Sequence, residues 1–236
     1  MSGFNNLNPD TLKSVSGFIE SIYGGSGVDG KGLRVVVFFS GCNLRCPFCH
    51  NPETLFRQGE RVTVEQLIEK ITRYKPYLKR GGVTLSGGEP FLQKDFALAL
   101  IACLSKIGIS TCIETNGHIT DRDLIASAEY VICDVKNQER LDLSDYHTFL
   151  SVSDEIGARV ELTNVLVPGI NDSPQALAAL RELYKAHRLS EGIRFLPFRK
   201  LCMDKYKKIG LAFPYDNVRE AENDDIERAR SVFFDV

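Results

Sequence analysis

The chain has 236 residues, 43% of them hydrophobic and 25% charged, enough to bury a substantial core and suited to one α/β domain or barrel. A formal net charge of −2 gives no electrostatic reason to expect a nucleic-acid partner. No run approaches the roughly 18 apolar residues of a membrane helix, and the opening MSGFNNLNPD lacks the basic-then-apolar order of a signal peptide, so no membrane role is expected and the location expected is cytoplasmic.

Along the chain, short β-rich runs alternate with helical stretches. Leu33–Ser40 (LRVVVFFS) is a continuous apolar run, the pattern of a buried parallel strand. Thr63 opens a helix, with Gln66 completing a capping box and Val64, Leu67, Ile68 and Ile71 on the inner face. Val83–Ser86 reads as a second strand and Asp95–Ile107 as an apolar helix. Ser110–Glu114 is a third strand, followed by a short helix near Asp121–Ala128, and Tyr130–Val135 is a fourth. Val160–Val167 is a fifth, ending at Pro168-Gly169, after which Ser173-Pro174 supplies a helix cap and first turn. Ile193–Pro197 is a sixth, and Asn223–Phe234 has the spacing of a final helix. Six strands alternating with helices imply right-handed βαβ units and a parallel sheet. Six units fall short of a closed eight-fold barrel, so an open partial (β/α)6 barrel fits, with its site at the C-terminal strand ends. A doubly wound sheet shares the alternation, and periodicity does not separate the two.

Of seven cysteines, three crowd into SGCNLRCPFCHNPE, directly after the first strand, as C-x3-C-x2-C at Cys42, Cys46 and Cys49. An odd count and tight clustering in a reducing compartment read as metal binding rather than a disulfide framework. Three thiolates on one loop can hold three irons of a cubane cluster and leave the fourth open to a ligand, as an open zinc position marks a catalytic site. Structural zinc needs a fourth ligand, and His50 is awkwardly adjacent to Cys49. A ferredoxin-like carrier needs a fourth cysteine nearby, and the next is Cys103. Chance clustering of buried cysteines is the remaining alternative. Cys103, Cys112, Cys133 and Cys202 are isolated, the first three in apolar helix or strand contexts, and read as small buried hydrophobes.

Three further segments end predicted strands. Ser86-Gly87-Gly88-Glu89-Pro90 offers glycines that admit a close-approaching ligand and a carboxylate, Glu89, suited to an ammonium group; the same string also suits a plain turn. Thr111–Gly117 (TCIETNG) carries Glu114, and Cys133-Asp134-Val135-Lys136 pairs an acid with a lysine, a pattern that elsewhere is a solvated turn.

The cysteine spacing, with Phe48 before the last cysteine, resembles the signature of the radical S-adenosylmethionine superfamily. The segments VSGFIESIYGGSGVDGKGLR, SGCNLRCPFCHNPET, GGVTLSGGEPFLQ, TCIETNG, CDVK, NVLVPG and RFLPF occur in the order seen in the glycyl-radical-enzyme activases of the pyruvate formate-lyase type. The resemblance runs from about Val15 to at least Arg199. It implies one domain over residues 1–236, with a lead-in segment 1–32, a barrel core 33–200 and an extension 201–236. It implies one [4Fe–4S] cluster on Cys42, Cys46 and Cys49, and S-adenosylmethionine lying with its adenine along Phe48, Cys49 and His50. Its methionyl ammonium falls to Gly87, Gly88 and Glu89, with Glu114, Asp134 and Lys136 at the family's ligand-contacting and cation-binding positions. The activity implied is hydrogen abstraction from a backbone glycine of a partner glycyl radical enzyme, with flavodoxin or ferredoxin supplying electrons.

Four positions depart from the family pattern. Lys31 stands where the DGKG loop usually has proline, and Glu114 replaces an aspartate, which puts the monovalent-cation site in question. Thr163 occupies an arginine position, and Arg199 a histidine position at the ligand. Arg199 is then expected to take over the carboxylate contact of the missing arginine, since a guanidinium binds carboxylates in a bidentate manner. No eight-cysteine ferredoxin-like insertion is present. His118, His147 and His187 receive no role. The alternatives within the superfamily are a nucleotide-modifying enzyme of the carboxy-deazaguanine synthase kind and an activase of anaerobic ribonucleotide reductase. Outside it, the alternative is a non-enzymatic metal-binding module.

Overall fold

The computed structural model describes residues 8–137, 142–189 and 191–234. Asn8 caps the short helix α1 (Pro9–Ser14) by accepting from the Asp10 amide at 3.1 Å. Strand β1 (Ser16–Ser26) turns back along β2 (Arg34–Phe39) as an antiparallel hairpin, and β3 (Glu60–Thr63) pairs antiparallel with β1, Ser16 facing Thr63. Neither β1 nor β3 is among the strands expected from the pattern. Gly17, Gly24, Gly25 and the serines interrupt the apolar alternation of β1, which gains its strand conformation from pairing on both sides.

Helix α2 (Val64–Thr72) begins at the expected capping box. The Thr63 hydroxyl accepts from the Gln66 amide at 3.2 Å, and the Gln66 side chain accepts from the Thr63 amide at 2.8 Å. Strand β4 (Gly82–Gly87) lies parallel to β2, Val35 beside Val83. A 3-10 turn at Pro90–Gln93 leads into α3 (Lys94–Lys106), whose residues Phe96 to Leu104 are all buried, as befits a helix apolar on every side. Strand β5 (Ser110–Thr115) runs parallel to β4. Helix α4 (Arg122–Ser127) is capped by Asp121, which accepts from the Leu124 amide at 2.9 Å. Then come β6 (Tyr130–Asp134), α5 (Ser144–Ile156), β7 (Val160–Leu166) and α6 (Pro174–Ala186), capped by Ser173. Strand β8 (Ile193–Pro197) is parallel to β7, and α7 (Met203–Lys208) and α8 (Asn223–Phe234) complete the order.

The strands hydrogen-bond in the order β3-β1-β2-β4-β5-β6-β7-β8. From β2 onward neighbours follow chain order without reversal. A doubly wound sheet reverses at its switch point, so the order selects the singly wound progression of a partial barrel. The six strands expected from the sequence are those six, and β1 and β3 extend the sheet beyond them.

Chain contacts group into two compact units. The first runs up to Leu44 and includes Glu53–Thr115 and Asp121–Ile132. Its core joins β2 and β4 to α3, with the Phe39 and Phe96 rings 5.5 Å apart and Val35, Val37, Leu85 and Leu100 fully buried. The second holds Arg45–Pro52, Asn116–Thr120 and the chain from Cys133 onward. One of its cores gathers Phe48, Val167, Phe198, Cys202, Tyr206 and Phe213; in another, Phe233 of α8 packs between Tyr184 and Phe195. Among the described residues no helix is long and apolar enough to cross a membrane.

Candidate functional site

In the first unit, β2 delivers the chain to Ser40-Gly41-Cys42. Ser40 is fully buried, and its hydroxyl donates to the Phe56 carbonyl at 2.8 Å while accepting from the Gln58 and Gly59 amides at 3.2 and 3.0 Å. The Gly41 amide donates to the Thr54 carbonyl at 2.7 Å and the Cys42 amide to that of Leu55 at 3.3 Å. The first cysteine therefore sits on a short backbone ladder made with the returning segment, and the Leu44 amide lies 3.4 Å from its sulfur.

The Ser86–Pro90 segment supports this strand from β4. The Gly88 amide donates to the Phe39 carbonyl and the Glu89 amide to the Gly41 carbonyl, both at 2.8 Å. A Cβ on Gly88 would stand 2.1 Å from the Gly41 oxygen, and Gly87, at φ +100°, would meet the Phe39 nitrogen at 2.6 Å. Both glycines are thus required to seat this segment against the cysteine strand. That reason is distinct from the ligand approach expected from the sequence. Glu89 is fully buried, and its Oε1 accepts from the Thr115 hydroxyl at 2.9 Å and the Phe91 amide at 3.1 Å. Glu114, half-buried at the end of β5, accepts from the Ser86 hydroxyl. Gln93 bridges segments: its amide nitrogen donates to the Phe18 and Ser40 carbonyls at 2.8 and 3.1 Å, and its oxygen accepts from the Phe18 amide at 2.7 Å.

In the second unit the Cys49 amide donates to the Cys46 carbonyl at 3.1 Å, a tight turn that fixes the two-residue spacing. Phe48 anchors this loop. Its ring is 4% exposed, stacks on Tyr215 at 6.4 Å and lies 5.2 Å below the Lys136 ammonium. His50 Nε2 meets the Arg199 carbonyl at 2.8 Å, and Lys205 donates to the Asn51 side chain at 2.7 Å.

Asp134 and Lys136, at the end of β6, form an ion pair through Oδ2. Burial disfavours the Lys136 charge, but Asp134 and the neighbouring Cys46 and Cys49 thiolates outweigh it and hold the ammonium above its ordinary pKa. Asp134 Oδ1 is buried with no hydrogen-bond partner among the described residues. The Lys136 amide donates to the Tyr146 hydroxyl at 2.7 Å. That hydroxyl lies 3.2 Å from His118 Nε2, and His118 Nδ1 lies 2.9 Å from Asp145. Arg199 directs Nη1 to the Ala221 carbonyl at 2.7 Å, with Glu220 at 3.9 Å, so part of its guanidinium fork is engaged within its own unit. Thr163, at the expected arginine position, is buried and its carbonyl accepts from Val135 at 2.8 Å.

Of the expected site residues, the first unit holds Cys42, Gly87, Gly88, Glu89 and Glu114. The second holds Cys46, Phe48, Cys49, His50, Asp134, Lys136 and Arg199. The pattern reading missed Ser40, Gln93, Thr115 and Tyr146. Ser40, Gln93 and Thr115 were inside the quoted motifs and needed only the question of where each buried polar group finds its partner. Tyr146 carried no motif.

Among the described residues, no three or more histidine, cysteine or carboxylate side chains are gathered as a ready-made metal site. The donor chemistry nonetheless suits an iron–sulfur cluster. Cys42, Cys46 and Cys49 are outside any disulfide and half-exposed while the other four cysteines are buried, and a cation stands beside two of the three.

A family profile described as "4Fe-4S single cluster domain" matches residues 28–148. The chain is 34% identical over 231 residues to a pyruvate formate-lyase-activating enzyme of Clostridium pasteurianum, covering 92% of this chain and 96% of that one. It is 32% identical over 236 residues to a protein of the same name from Staphylococcus epidermidis, covering 91% and 94%. Among solved structures, QueE from Escherichia coli superposes with a TM-score of 0.57 at 19% identity, covering 87% of this chain and 96% of that one. A radical SAM methyltransferase from Sphaerobacter thermophilus gives 0.61 at 16% identity, covering 86% and 64%. These two structural likenesses carry the fold alone, and it is the partial barrel expected from the sequence.

Proposed function

The chain belongs to the family of pyruvate formate-lyase-activating enzymes, and on that premise we propose that it installs a radical on a backbone glycine of a partner glycyl radical enzyme. A [4Fe–4S] cluster held there would supply the one electron that breaks a C–S bond of S-adenosylmethionine into methionine and a 5′-deoxyadenosyl radical, which would leave as 5′-deoxyadenosine after taking hydrogen from that glycine. The protein's own part is to bind, orient and exclude water. Cys42, Cys46 and Cys49 give the three thiolates. Gly87, Gly88 and Glu89 hold the methionyl ammonium, which a buried carboxylate binds strongly. Phe48, Cys49 and His50 flank the adenine, and Lys136 balances the charge of the sulfurs around it. Arg199 takes the ligand carboxylate in place of the arginine that Thr163 replaces, with the guanidinium donors that Ala221 does not use. A monovalent cation belongs at Asp134, where an oxygen buried without a hydrogen-bond partner among the described residues favours it; Glu114 is the other position that the family resemblance puts forward for it.

In this reading residues 1–236 act as one domain, the protein works in the cytoplasm, and its electrons come from a flavodoxin or ferredoxin. The activase reading is preferred to a nucleotide substrate because the relatives at 32–34% identity carry activase names, whereas the likeness to QueE, at 19%, is one of fold. The observation that carries it is the set of three half-exposed cysteines on one loop, with the Lys136 ammonium near Cys46 and Cys49. The test is anaerobic reconstitution, reduction and assay of 5′-deoxyadenosine. Release that falls at least about a hundred-fold in Cys46→Ala supports the reading. A full complement of iron and bound S-adenosylmethionine with no release, even with a glycyl radical enzyme present, overturns it.

A further inference from the structure

Residues 199–211 (RKLCMDKYKKIGL) carry five cations against one carboxylate, in a chain whose net charge is −2; Arg199, Lys200 and Lys205 have partners at Ala221, Asp216 and Asn51, and Lys207 and Lys208 are exposed. The stretch includes α7, and its apolar side chains divide into two sets. Cys202 and Tyr206 are buried in the core that holds Phe48, with Met203 packed against it. Leu201, Ile209 and Leu211 are exposed to 82, 39 and 43%, and Lys207 and Lys208 of the same stretch are exposed too. Lys207 lies 3.4 Å from Asp204, with both side chains well exposed, so that pair neutralises its charge little.

This basic and apolar surface is fastened to the loop that carries two of the cysteines. Arg199 receives His50 at its carbonyl, Lys205 holds Asn51, and Cys46 packs against the same core as Cys202. A protein that docks here stands on the polypeptide that holds Cys46 and Cys49, one residue from His50. Electron transfer weakens steeply with distance, so a reducing partner gains from docking on a segment tied to that loop. Exposed lysines in the same stretch as exposed aliphatic side chains suit a brief encounter with an acidic protein, steered by charge and released quickly.

We propose that the 199–211 surface is the docking site for an acidic one-electron carrier, a flavodoxin. This rests on the proposed function and names the partner of that same site. The step is one electron: the reduced, anionic flavin gives it up and becomes a neutral flavin radical, the oxidised cluster accepts it, and no bond forms or breaks.

The test uses the cluster-loaded protein and a reduced flavodoxin. Wild type and a Lys207→Glu/Lys208→Glu variant, with Leu201→Ser as a second variant, are compared for bleaching of the cluster absorbance and for affinity toward oxidised flavodoxin at low salt. The charge reversal is expected to slow bleaching by flavodoxin about ten-fold or more and to weaken binding similarly, with bleaching by dithionite unchanged. The wild-type rate is expected to fall with added salt and the variant's to respond far less. Equal rates and affinities for wild type and both variants overturn the docking site. If dithionite reduces the cluster yet no 5′-deoxyadenosine forms even with a glycyl radical enzyme present, the proposed function fails instead, and the two failures are distinct.

Discussion

At Gly88 a hydrogen is the largest substituent the backbone admits, because the Gly41 oxygen lies where a Cβ would stand. Gly88→Ala therefore pushes the Ser86–Pro90 segment away from the strand carrying Cys42. We expect a loss of about 1–3 kcal/mol in urea unfolding, with 5′-deoxyadenosine release reduced at least about ten-fold in reconstituted protein; a variant equal to wild type in both would show that the backbone yields without consequence. The residue types of this segment were legible from the sequence, and their physical reason was not. Local pattern marks Gly-Gly-Glu-Pro as a turn or a ligand cradle. Only the folded chain puts the Gly41 carbonyl beside Gly88 and the Thr115 hydroxyl on Glu89. Tyr146 is a harder case. It is fully buried and holds the Lys136 amide through its hydroxyl, yet nothing in its neighbours along the chain marks it out.

Elements whose ends carry caps were the ones the sequence placed well. Thr63 with Gln66, Asp121, and Ser173 with Pro174 each begin a helix where the pattern predicts, since a capping side chain is a local event. Helix α5 was not anticipated. Its serines, threonine and histidine are weak helix formers, although Tyr146, Phe149, Leu150 and Ser153 do recur at helical spacing on the buried side. Helix α8 depends on Asp225, which is buried. It accepts from the Glu222 amide at 2.8 Å and the Arg219 guanidinium at 2.6 and 2.7 Å, and pairs with Arg228. These partners, Arg219 first, hold its carboxyl well below the ordinary value of 3.8. Because the folded pKa is the lower one, the stabilisation is complete above that ordinary value and is lost as pH falls below it. Asp225→Asn should cost about 1–2 kcal/mol at neutral pH, with the exposed arginines adding little. The gap in urea midpoint between variant and wild type should narrow as pH is lowered from 5 toward 3; a gap that stays constant over that range would exclude the charge as its source.

Over the whole molecule, the fold class follows from six β-rich runs separated by helices, and the strand order then decides between the two architectures that share this alternation. What the runs did not contain is the N-terminal hairpin, where β1 is held by its partners and by Gln93 rather than by its own composition. The seven cysteines divide cleanly by burial, three half-exposed on the loop and four inside. Replacing any of Cys103, Cys112, Cys133 or Cys202 by alanine should leave iron content near four per chain in reconstituted protein, at a cost of about 1–2 kcal/mol in stability. A proportional loss of iron with retained folding would assign that residue to a metal centre.

That division also fixes how the protein ages in air. Burial pushes the Cys103 thiol up, and the other interior cysteines lie in equally closed surroundings, so oxidants reach them only when the chain opens. The loop thiols have no such shelter, being half-exposed. Oxygen damage thus begins at Cys42, Cys46 and Cys49 while the rest of the molecule stays intact. A sample exposed briefly and taken only as far as disulfide or sulfenic acid is recoverable with thiol, iron and sulfide. One carried to sulfinic acid keeps its fold and has permanently lost its chemistry.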